Sequence, residues 1–454
     1  MNDTQLTDVV KKEIKQREEE GCDVAGLREQ LAPIEADGNG QRREALDGLL
    51  AELGTLAADP KYEEPSDLPG VRELRPDGPR LMQNLFSLPD LRNRTLGGWL
   101  GRCAGCTLGK PVEGWARERI RRAAEPDDNW PIRQYLGALT SSPSGKHRRV
   151  LSDSNRSLRG QISGMARDDD IDYTVTGLLV MERHGLDFST ADVGSFWLAE
   201  LPYSKTYTAE RIAYRNLVDG IPAEEAGAHL NPCREWIGAQ IRADAFGYVC
   251  PGMPEAAAGL AYKDAFLSHR KNGIYGEMLV AAMIAAAFVE HDIHKIIEIG
   301  LSEIPHGSRL SEAVRGVVEV WDKTNAWEKV ADHIDRHYGN LQGCHTITNA
   351  AIVILGLLAG EQDFTAGLAA SIMPGYDTDC NGATVGSILG VRCGAEAIPA
   401  HWTEPLEDRL TTIIASVHQC KISDLAARTV RVAQKQLGAV VETDGAEPLT
   451  WGVA

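Results

Sequence analysis

The stretch GGWLGRCAGCTLGKPVEG, residues 97–114, decides the fold class of this protein. Its glycines recur at every fourth position and would share one face of a helix, namely Gly97, Gly101, Gly105 and Gly109. A second stretch at 382–394 has the same spacing, with Gly382, Gly386, Gly390 and Gly394. Each glycine costs about 1 kcal/mol relative to alanine inside a helix, so both stripes predict close approach of another backbone. Tight packing alone would explain the stripes, but both adjoin acidic clusters, and we therefore expect a ligand site beside them.

Helical periodicity continues outward from these stripes, whereas alternating strand patterns are nearly absent. The segments that suit helices are 91–108, 173–183, 209–217, 276–291, 310–321, 346–359, 364–373, 382–394 and 406–417. We interpret residues 91–440 as one all-α domain. Inside it, residues 125–166 are polar and rich in Ser, Arg and Asp, which predicts a long loop.

Two regions precede this domain. Residues 1–58 carry Leu, Ile and Val at helical spacing and predict an N-terminal helical extension of two or three amphipathic helices, with a break near 37–39. Residues 59–90 contain six prolines, which exclude a continuous helix. This second region is predicted to be an irregular connector that lies over the following domain.

The composition excludes several classes of function. The chain has 65 acidic residues against 47 Lys and Arg, a formal net charge of −18, which argues against nucleic-acid partners and against a basic membrane-binding surface. The sequence contains no uninterrupted run of 18 apolar residues, so we expect no membrane-spanning helix. Nine cysteines without an apolar export signal fit a cytoplasmic protein. Cys103 and Cys106 form an isolated pair inside the first glycine stripe, where we expect packing and not redox or metal chemistry.

The first acidic cluster directly precedes a predicted helix. It places four carboxylates within five residues, at Asp168, Asp169, Asp170 and Asp172. A helix N-terminus stabilises each charge by only about 0.3–1 kcal/mol, which is little against their mutual repulsion. A bound cation would explain the crowding, although such a run can also cap a helix and continue into a solvated turn.

The second acidic cluster is Asp377 and Asp379 in PGYDTDCNG, residues 374–382, where flanking glycines allow tight turning. Mg²⁺ and Mn²⁺ prefer oxygen ligands of this kind. Glu113 adds a lone carboxylate in the turn that ends the first glycine stripe. Its side chain could lie on the surface, or it could point into a site formed by the two Asp clusters.

Together, these motifs resemble the ADP-ribosylglycohydrolase family, of the dinitrogenase reductase activating glycohydrolase type. The matching sequences are GGWLGRCAGCTLGKPVEG (97–114), ARDDDIDYTVTGL (166–178) and PGYDTDCNGATVGSILGV (374–391), in the family's order. The resemblance covers roughly residues 91–400. It implies an orthogonal all-α bundle with two divalent ions, Mg²⁺ or Mn²⁺, at the bottom of a cleft.

By this resemblance, the metal ligands would be Asp168, Asp169, Asp170, Asp377 and Asp379. The family usually has Thr-Asp-Asp in the first motif, so Asp168 stands where a threonine is usual. After the second motif it usually has Thr or Ser, where this chain has Cys380, and a neutral thiol is a poor ligand for Mg²⁺. Asp172 and Cys380 could contact the ligand residues and hold them in position without binding an ion themselves.

The resemblance also implies catalytic roles for Glu113, Asp169 and Asp170. Departure of the leaving group builds positive charge on the ribose, which an acid-rich pocket favours. One carboxylate would take a proton from the attacking water. Clustered carboxylates titrate as a coupled set, so the sequence does not divide the roles of acid and base among them.

Four residues outside the acidic clusters are possible substrate contacts. His345 and Asn349 lie at the start of the predicted helix 346–359, and Ser308 precedes a helix whose N-terminus could hold phosphate. Tyr376 lies inside the second acidic motif and could stack on a base. For each of the four, helix capping or packing is an equal alternative.

The leading prediction is a divalent-metal-dependent hydrolase that cleaves the ribosyl glycosidic bond of an ADP-ribosylated protein side chain or small molecule. A first alternative is an N-glycosidase acting on a nucleoside, a nucleotide or an NAD-derived metabolite. A further alternative is a metal-binding family member without catalytic activity. The sequence leaves the oligomeric state and the role of residues 1–90 open.

Overall fold

The computed structural model describes residues 1–36, 42–82, 87–137 and 154–436. In these ranges the chain is almost entirely helical, which confirms the predicted all-α fold. Their sheet structure is limited to one antiparallel pair of two-residue strands, β1 (Leu410–Thr411) and β2 (Gln419–Cys420). No helix in the described ranges combines the length and the apolar character needed to cross a membrane.

The helices of the described residues follow one another along the chain in this order. The first four are α1 (Asp3–Glu19), α2 (Ala25–Ala36), α3 (Arg42–Thr55) and α4 (Leu68–Leu74). The next nine are α5 (Leu88–Gly109), α6 (Arg117–Ala124), α7 (Asp169–His184), α8 (Thr190–Glu200), α9 (Thr208–Val218), α10 (Ala223–Ala226), α11 (Asp244–Tyr248), α12 (Pro254–Ala265) and α13 (Asn272–Ala287). The last eight are α14 (Ile293–Leu301), α15 (Arg309–Thr324), α16 (Trp327–Tyr338), α17 (Thr346–Ala359), α18 (Phe364–Ile372), α19 (Thr378–Cys393), α20 (Ala400–Thr403) and α21 (Ile422–Gln436).

The first three helices pack on a small apolar core of their own, which contains Leu6, Val10, Leu46 and Leu53. Their predicted break at 37–39 lies outside the described residues. The segment that follows crosses the surface of the next domain, where the amide of Met82 donates to the carbonyl of Gly252 at 2.8 Å. The predicted irregular connector also contains α4, a helix that the prediction missed. Pro69 is compatible with α4 because it lies in the first turn, where its missing N–H is not needed.

The main core is centred on helices that are buried on all sides and mostly apolar. Every residue of α13 is buried, and all but the last residue of α17 are buried. Helices α5 and α19 pack against this centre with long buried faces of their own. A helix that is hydrophobic all round has to be enclosed by its neighbours, so these two form the middle of the bundle.

The two glycine stripes face each other where α5 and α19 cross. A Cβ on Gly97 would come within 2.8 Å of the Ala395 amide nitrogen, and a Cβ on Gly105 within 2.9 Å of the Ala383 nitrogen. Side chains would therefore force the two backbones apart. Gly394 serves a different purpose from the other stripe members: at φ 79° it ends α19 in a conformation that glycine adopts without strain.

The predicted helix at 406–417 is wrong. The segment instead contains β1 and a turn, and Glu407 and Asp408 have positive φ values of 49° and 51°. Met165 pairs with this segment: its amide donates to the carbonyl of Arg409 at 2.8 Å, and its carbonyl accepts from Thr411 at 3.2 Å. Pairing with a segment distant in sequence has outweighed local helical spacing.

Candidate active site

The packing of α5 against α19 brings Glu113 to the second acidic motif. At the end of α5, the hydroxyl of Thr378 donates to the carbonyl of Gly109 at 2.8 Å, and the amide of Gly114 donates to the carbonyl of Tyr376 at 2.9 Å. A short 3₁₀ turn, Lys110–Val112, then leads to Glu113. The carboxylates of Glu113, Asp377 and Asp379 lie within 4.8 Å of one another. We call these three residues the outer acidic group.

A sharp turn precedes α19 and aims its first carboxylates at the end of α5. Gly375 has φ 93° and Tyr376 has φ 66°, both in the left-handed region. A Cβ on Gly375 would collide with the carbonyl of Trp115, so both the conformation and the available space require glycine there. The glycine that precedes the DTD motif therefore sets the direction of Asp377.

The first acidic motif opens α7 beside the same end of α5. Asp168 is the N-cap of α7, and its carboxylate accepts from the amide of Asp170 at 3.1 Å. Asp168, Asp170 and the thiol of Cys106 place their ligand atoms within 4.8 Å of one another, and all three residues are buried. We call them the inner acidic group. Asp168 also forms an ion pair with the ammonium group of Lys110.

Arg102 lies beneath the inner acidic group and is fully buried. Its guanidinium donates to the carbonyl of Asp170 at 2.8 Å and lies 3.8 Å from that residue's carboxylate. It also forms an ion pair with Asp244 at 2.7 Å. A buried arginine needs such partners, and here they fix the start of α7 against α5.

The acids of both groups lie close enough to alter one another's protonation. The charge of Asp379 and burial raise the pKa of Glu113 to about 8, although this side chain is largely exposed to solvent. Burial followed by repulsion from Asp379 raises the pKa of Asp377, and burial followed by repulsion from Asp168 raises that of Asp379. The two groups therefore form one acidic constellation.

Asp169 and Asp172 both belong to the first motif, but they differ in burial and in their hydrogen-bond partners. Asp169 is half-buried, and burial together with the charge of Asp168 raises its pKa to about 8. Asp172 is buried and pairs with Arg167 at 2.7 Å, while its other oxygen accepts from the amide of Ile413 at 2.9 Å. Its carboxylate is thus occupied with holding two neighbouring segments together.

Cys106 and Cys380 are neutral thiols beside the acidic residues. Burial and the surrounding carboxylates raise the pKa values of Cys106 and Cys380 well above the usual range. Cys380 is buried at the start of α19, next to Asp379, as the sequence suggested. Cys106 was expected to serve packing only, and the structure places it beside the ligand atoms of the inner acidic group.

The four possible substrate contacts have diverse surroundings. His345 is fully buried and caps α17, accepting from the amide of Ile347 at 3.2 Å. Ser308 is fully buried and caps α15, where its oxygen accepts from the amide of Ser311 at 3.2 Å. Tyr376 is half-buried, and its hydroxyl donates to Asp335 at 2.7 Å. The structure thus places two of the four in caps.

Asn349 connects the start of α17 to the second acidic motif. Its amide nitrogen donates to the carbonyls of Gly343 and His345 at 2.9 and 3.0 Å. Its amide oxygen accepts from the amide of Asp377 at 3.3 Å and from the side chain of Asn381 at 2.9 Å. With both donors and both lone pairs in use, Asn349 holds Asp377 in place.

Beside Asp169, a shallow pocket is bordered by basic and aromatic side chains. Arg167, Lys205 and Tyr173 line it. Tyr207 stands next to Arg167, with its hydroxyl 3.5 Å from the guanidinium, and is 39% exposed. This edge therefore offers positive charge and an exposed ring next to the acidic constellation.

The donor set fits a hard divalent cation. Asp170 has a buried carboxylate oxygen with no hydrogen-bond partner among the described residues, and the outer acidic group gathers three carboxylates. Unpaired buried charge of this kind is costly unless a cation compensates it. Oxygen ligands at this density suit Mg²⁺ or Mn²⁺.

Sequence reasoning identified the acidic residues but missed their cationic neighbours. Lys110 stood in the quoted motif, three residues before Glu113, and its charge among acidic motifs was the available signal. Arg102 lay on the glycine-rich helix, where a charge in a buried stripe requires a partner. No sequence feature indicated Asp244 as that partner.

Comparisons with known proteins agree with this arrangement. The sequence model of the family described as ADP-ribosylglycohydrolase matches residues 87–438. A protein of Archaeoglobus fulgidus described as uncharacterized is 25% identical over 315 residues, which cover 68% of this chain and 90% of that protein. A solved structure described as an ADP-ribosylglycohydrolase-related protein complex has a TM-score of 0.51 and 19% identity, covering 76% of this chain and 100% of that chain. At this identity, the structural likeness shows a shared fold alone.

Proposed function

The chain belongs to the ADP-ribosylglycohydrolase family, whose members are glycoside hydrolases, and we propose that it uses divalent ions to cleave a ribosyl glycosidic bond in an ADP-ribosylated substrate. One observation carries this proposal. Carboxylates from three segments distant in sequence, at the end of α5, the start of α7 and the start of α19, converge in one constellation. A fold that needed only packing would not gather so many like charges at one place.

The residues that would hold the ions are Glu113, Asp169, Asp170, Asp377 and Asp379. When bound, Mg²⁺ or Mn²⁺ would supply binding for ribose hydroxyls and would acidify a water molecule. We carry over from the family resemblance the expectation of two ions. Cys380 and Cys106 contribute neutral thiols, which are poor ligands for such ions, so the carboxylates carry the binding.

The chain's own carboxylates have two tasks in the reaction. As the bond to the leaving group breaks, positive charge develops on the ribose, and the surrounding negative charges stabilise it. The attacking water must also lose a proton. Glu113 suits that step because its side chain is exposed to solvent, where a water molecule can reach it. Asp169, which is half-buried at the start of α7, is a second candidate for this step.

Asp170 is better placed to bind than to transfer protons. It is buried, with one oxygen unpartnered among the described residues, and Arg102 holds its backbone. A carboxylate fixed in this way keeps a constant geometry during the reaction. We therefore assign ion binding alone to Asp170, whereas Glu113 and Asp169 would bind an ion and one of the two would also take the proton from the water.

The edge of the site favours a phosphate-bearing substrate. Lys205 lies beside Asp169 and could compensate phosphate charge, whereas the guanidinium of Arg167 is already paired with Asp172 at 2.7 Å. Tyr203 and Tyr207 are 46% and 39% exposed, and the Arg211 guanidinium lies 5.7 and 5.5 Å from the centres of their rings. Exposed rings beside cations suit a nucleotide more than an uncharged sugar.

A substrate panel tests the function. The purified protein would be incubated with Mg²⁺ or Mn²⁺ and with ADP-ribosyl-arginine, ADP-ribosyl-serine, O-acetyl-ADP-ribose and several nucleosides. Release of ADP-ribose from any of the first three supports the proposal. Release of base from nucleosides alone would replace it with a nucleosidase, and metal binding without turnover would make the protein a non-catalytic member.

A matched variant shows that the turnover belongs to this site. Asp377→Asn preserves the size of the side chain and removes one carboxylate of the outer acidic group. Turnover that persists in this variant at the wild-type rate would come from elsewhere and would contradict the site assignment.

A further inference from the structure

The two acidic groups of the site differ in how the protein compensates their charge. In the inner acidic group, Lys110 pairs with Asp168, whereas Arg102 comes no closer than 3.8 Å to the carboxylate of Asp170, which keeps one oxygen without a hydrogen-bond partner among the described residues. In the outer acidic group, no Lys or Arg among the described residues lies within ion-pair distance of a carboxylate. A divalent cation therefore gains more from the outer group than from the inner one.

The Lys110–Asp168 pair is built into the fold and is not a loose surface contact. The side chains of Lys110 and Asp168 are 16% and 2% exposed. Lys110 is fixed at the junction of α5 with the turn Lys110–Val112, directly after Gly109. Asp168 is fixed as the N-cap of α7. Neither residue can move far without disturbing the end of its helix.

Both oxygens of Asp168 already have partners within the chain. Oδ2 faces the Lys110 ammonium, and Oδ1 accepts from the amide of Asp170 at 3.1 Å. The third donor of the inner group, Cys106, is a neutral thiol because burial raises its pKa. With Asp168 occupied, Asp170 is the one carboxylate of the inner group that remains available to a second ion.

We propose that the Lys110–Asp168 ion pair makes the two ion positions unequal, with Lys110 serving as a built-in cation that withdraws Asp168 from the ligand set. This inference rests on the proposed divalent-metal function. The outer acidic group, with Asp169 beside it, holds one ion tightly. The inner group binds a second ion more weakly, with Asp170 as its principal ligand.

Calorimetric titration of the metal-free full-length protein with Mn²⁺ tests the inference, with free Mn²⁺ counted by electron paramagnetic resonance. We expect one tight ion per chain and a second that binds at least about tenfold more weakly. Lys110→Gln exposes the Asp168 carboxylate and should tighten the second ion by about tenfold or more. Two ions of equal affinity, unaffected by Lys110→Gln, would overturn the inference.

The double variant Lys110→Gln/Asp168→Asn keeps the net charge while it removes the pair. If Asp168 is withdrawn from the ligand set, this variant retains the tight ion with an affinity within about threefold of wild type. Loss of the tight ion, as expected for Asp377→Asn, would show that Asp168 is a ligand and would overturn the inference. If the double variant does not fold, Lys110→Gln alone decides, because unchanged or weaker binding of the second ion contradicts the proposal.

These outcomes are separate from those that test the function. A wild-type protein that binds neither Mn²⁺ nor Mg²⁺ would remove the proposed metal-dependent function and this inference with it. A wild-type protein that binds ions and hydrolyses its substrate, but loses the tight ion in the double variant, would leave the function standing and remove the inference alone.

Discussion

Asp377 and Asp172 are aspartates of the two acidic motifs with different partners. Asp377 belongs to the outer acidic group, and the described residues offer its carboxylate no Lys or Arg partner. Asp172 pairs with Arg167 and accepts from Ile413. Both stand in acidic runs at the start of a helix, and in the sequence analysis only the family resemblance distinguished Asp377 as a ligand from Asp172 as a supporting residue. The structure separates a carboxylate that can bind a ligand from one that holds segments together.

Substitution of Asp377 should therefore affect function more than substitution of Asp172. We expect Asp377→Asn to lower kcat/KM by about a hundredfold or more, because an electrostatic contact of the transition state is lost. Mn²⁺ affinity should fall in the same variant. Steady-state kinetics and calorimetry measure both effects.

Asp172→Asn is the matched control. It should retain Mn²⁺ affinity while lowering the unfolding temperature, because the buried Arg167 contact is weakened. Equal loss of Mn²⁺ affinity in the two variants would contradict the distinction between the two aspartates.

Raised pKa values give the metal-free protein a defined pH dependence. The pKa of Glu113 is raised from 4.5 to about 8 and that of Asp169 from 3.8 to about 8, so the folded state keeps protons that the unfolded chain releases. Stability from these groups is present at low pH and is lost as the pH rises from about 4 to about 8. The unfolding temperature without metal should fall over this range, as scanning calorimetry would measure.

Bound cations should reverse this trend, because they bind the deprotonated carboxylates. The rise in unfolding temperature on adding Mg²⁺ should be larger at about pH 8 than at about pH 5.5. In Glu113→Gln/Asp169→Asn, the difference between the two pH values should shrink. A Mg²⁺ effect that is independent of pH in wild type would contradict the shifted pKa values.

The sequence predicted the acids of the site and missed the basic residues that set their charge. Asp168, Asp169, Asp377 and Asp379 stood in motifs with recognisable spacing. Lys110 and Arg102 act on them across the boundary between α5 and α7, and no spacing along the chain shows which lysine will face which aspartate. The position of Cys106 beside these acids was missed for the same reason, since its acidic neighbours come from α7.

Of the helix contacts, the crossing of α5 and α19 is the one that follows most directly from the sequence, because both helices carry a glycine at every fourth position. Gly101 lies opposite Gly386, and a Cβ added to Gly101 would collide with the Gly386 carbonyl. The gain in helix propensity from Gly→Ala is about 1 kcal/mol, whereas overpacking typically costs about 1–3 kcal/mol and more where backbone must move. Overpacking therefore dominates at this crossing.

We expect Gly101→Ala to lower the free energy of unfolding by about 2 kcal/mol or more. Gly48→Ala in α3 is the matched control, because a Cβ there meets nothing within 4 Å. It should be neutral or stabilise the protein by up to about 1 kcal/mol. Chemical denaturation of both variants measures the difference, and equal effects would contradict the close approach of α5 and α19.

The incorrect helix at 406–417 shows where element prediction fails. Leu406, Leu410, Ile414 and Val417 have helical spacing, and most of their side chains are buried. Burial was thus predicted correctly, but the conformation was not. The segment bonds to Met165, and the positive φ of Glu407 and Asp408 breaks the helix. Local pattern carries no information about a partner more than 200 residues away in the chain.

In the whole molecule, the N-terminal extension is joined to the domain largely through charge. Glu20 has no exposed side-chain surface and accepts from Arg234 at 2.6 Å and from Lys271 at 2.7 Å. From the same helix end, Glu19 accepts from the amide of Gln342 at 2.9 Å. Gln342 belongs to the segment before α17, and Asn349 of that helix holds Asp377. The extension thus connects, through a few contacts, to the acidic site.

Glu20 and Glu18 allow this junction to be tested with neighbouring residues of one type. Glu20→Gln leaves Arg234 and Lys271 short of a buried carboxylate, and breaking buried ion pairs typically costs about 3–5 kcal/mol. Glu18 pairs with Lys15 and Arg28 on the surface, with its side chain 39% exposed, and Glu18→Gln should cost less than about 1 kcal/mol. Denaturant unfolding of the full chain distinguishes them. Because the junction leads to Asn349, Glu20→Gln should also weaken Mn²⁺ binding, whereas Glu18→Gln should leave Mn²⁺ affinity unchanged. If the two variants have equal stability and equal Mn²⁺ affinity, the extension contacts the domain without affecting the acidic site.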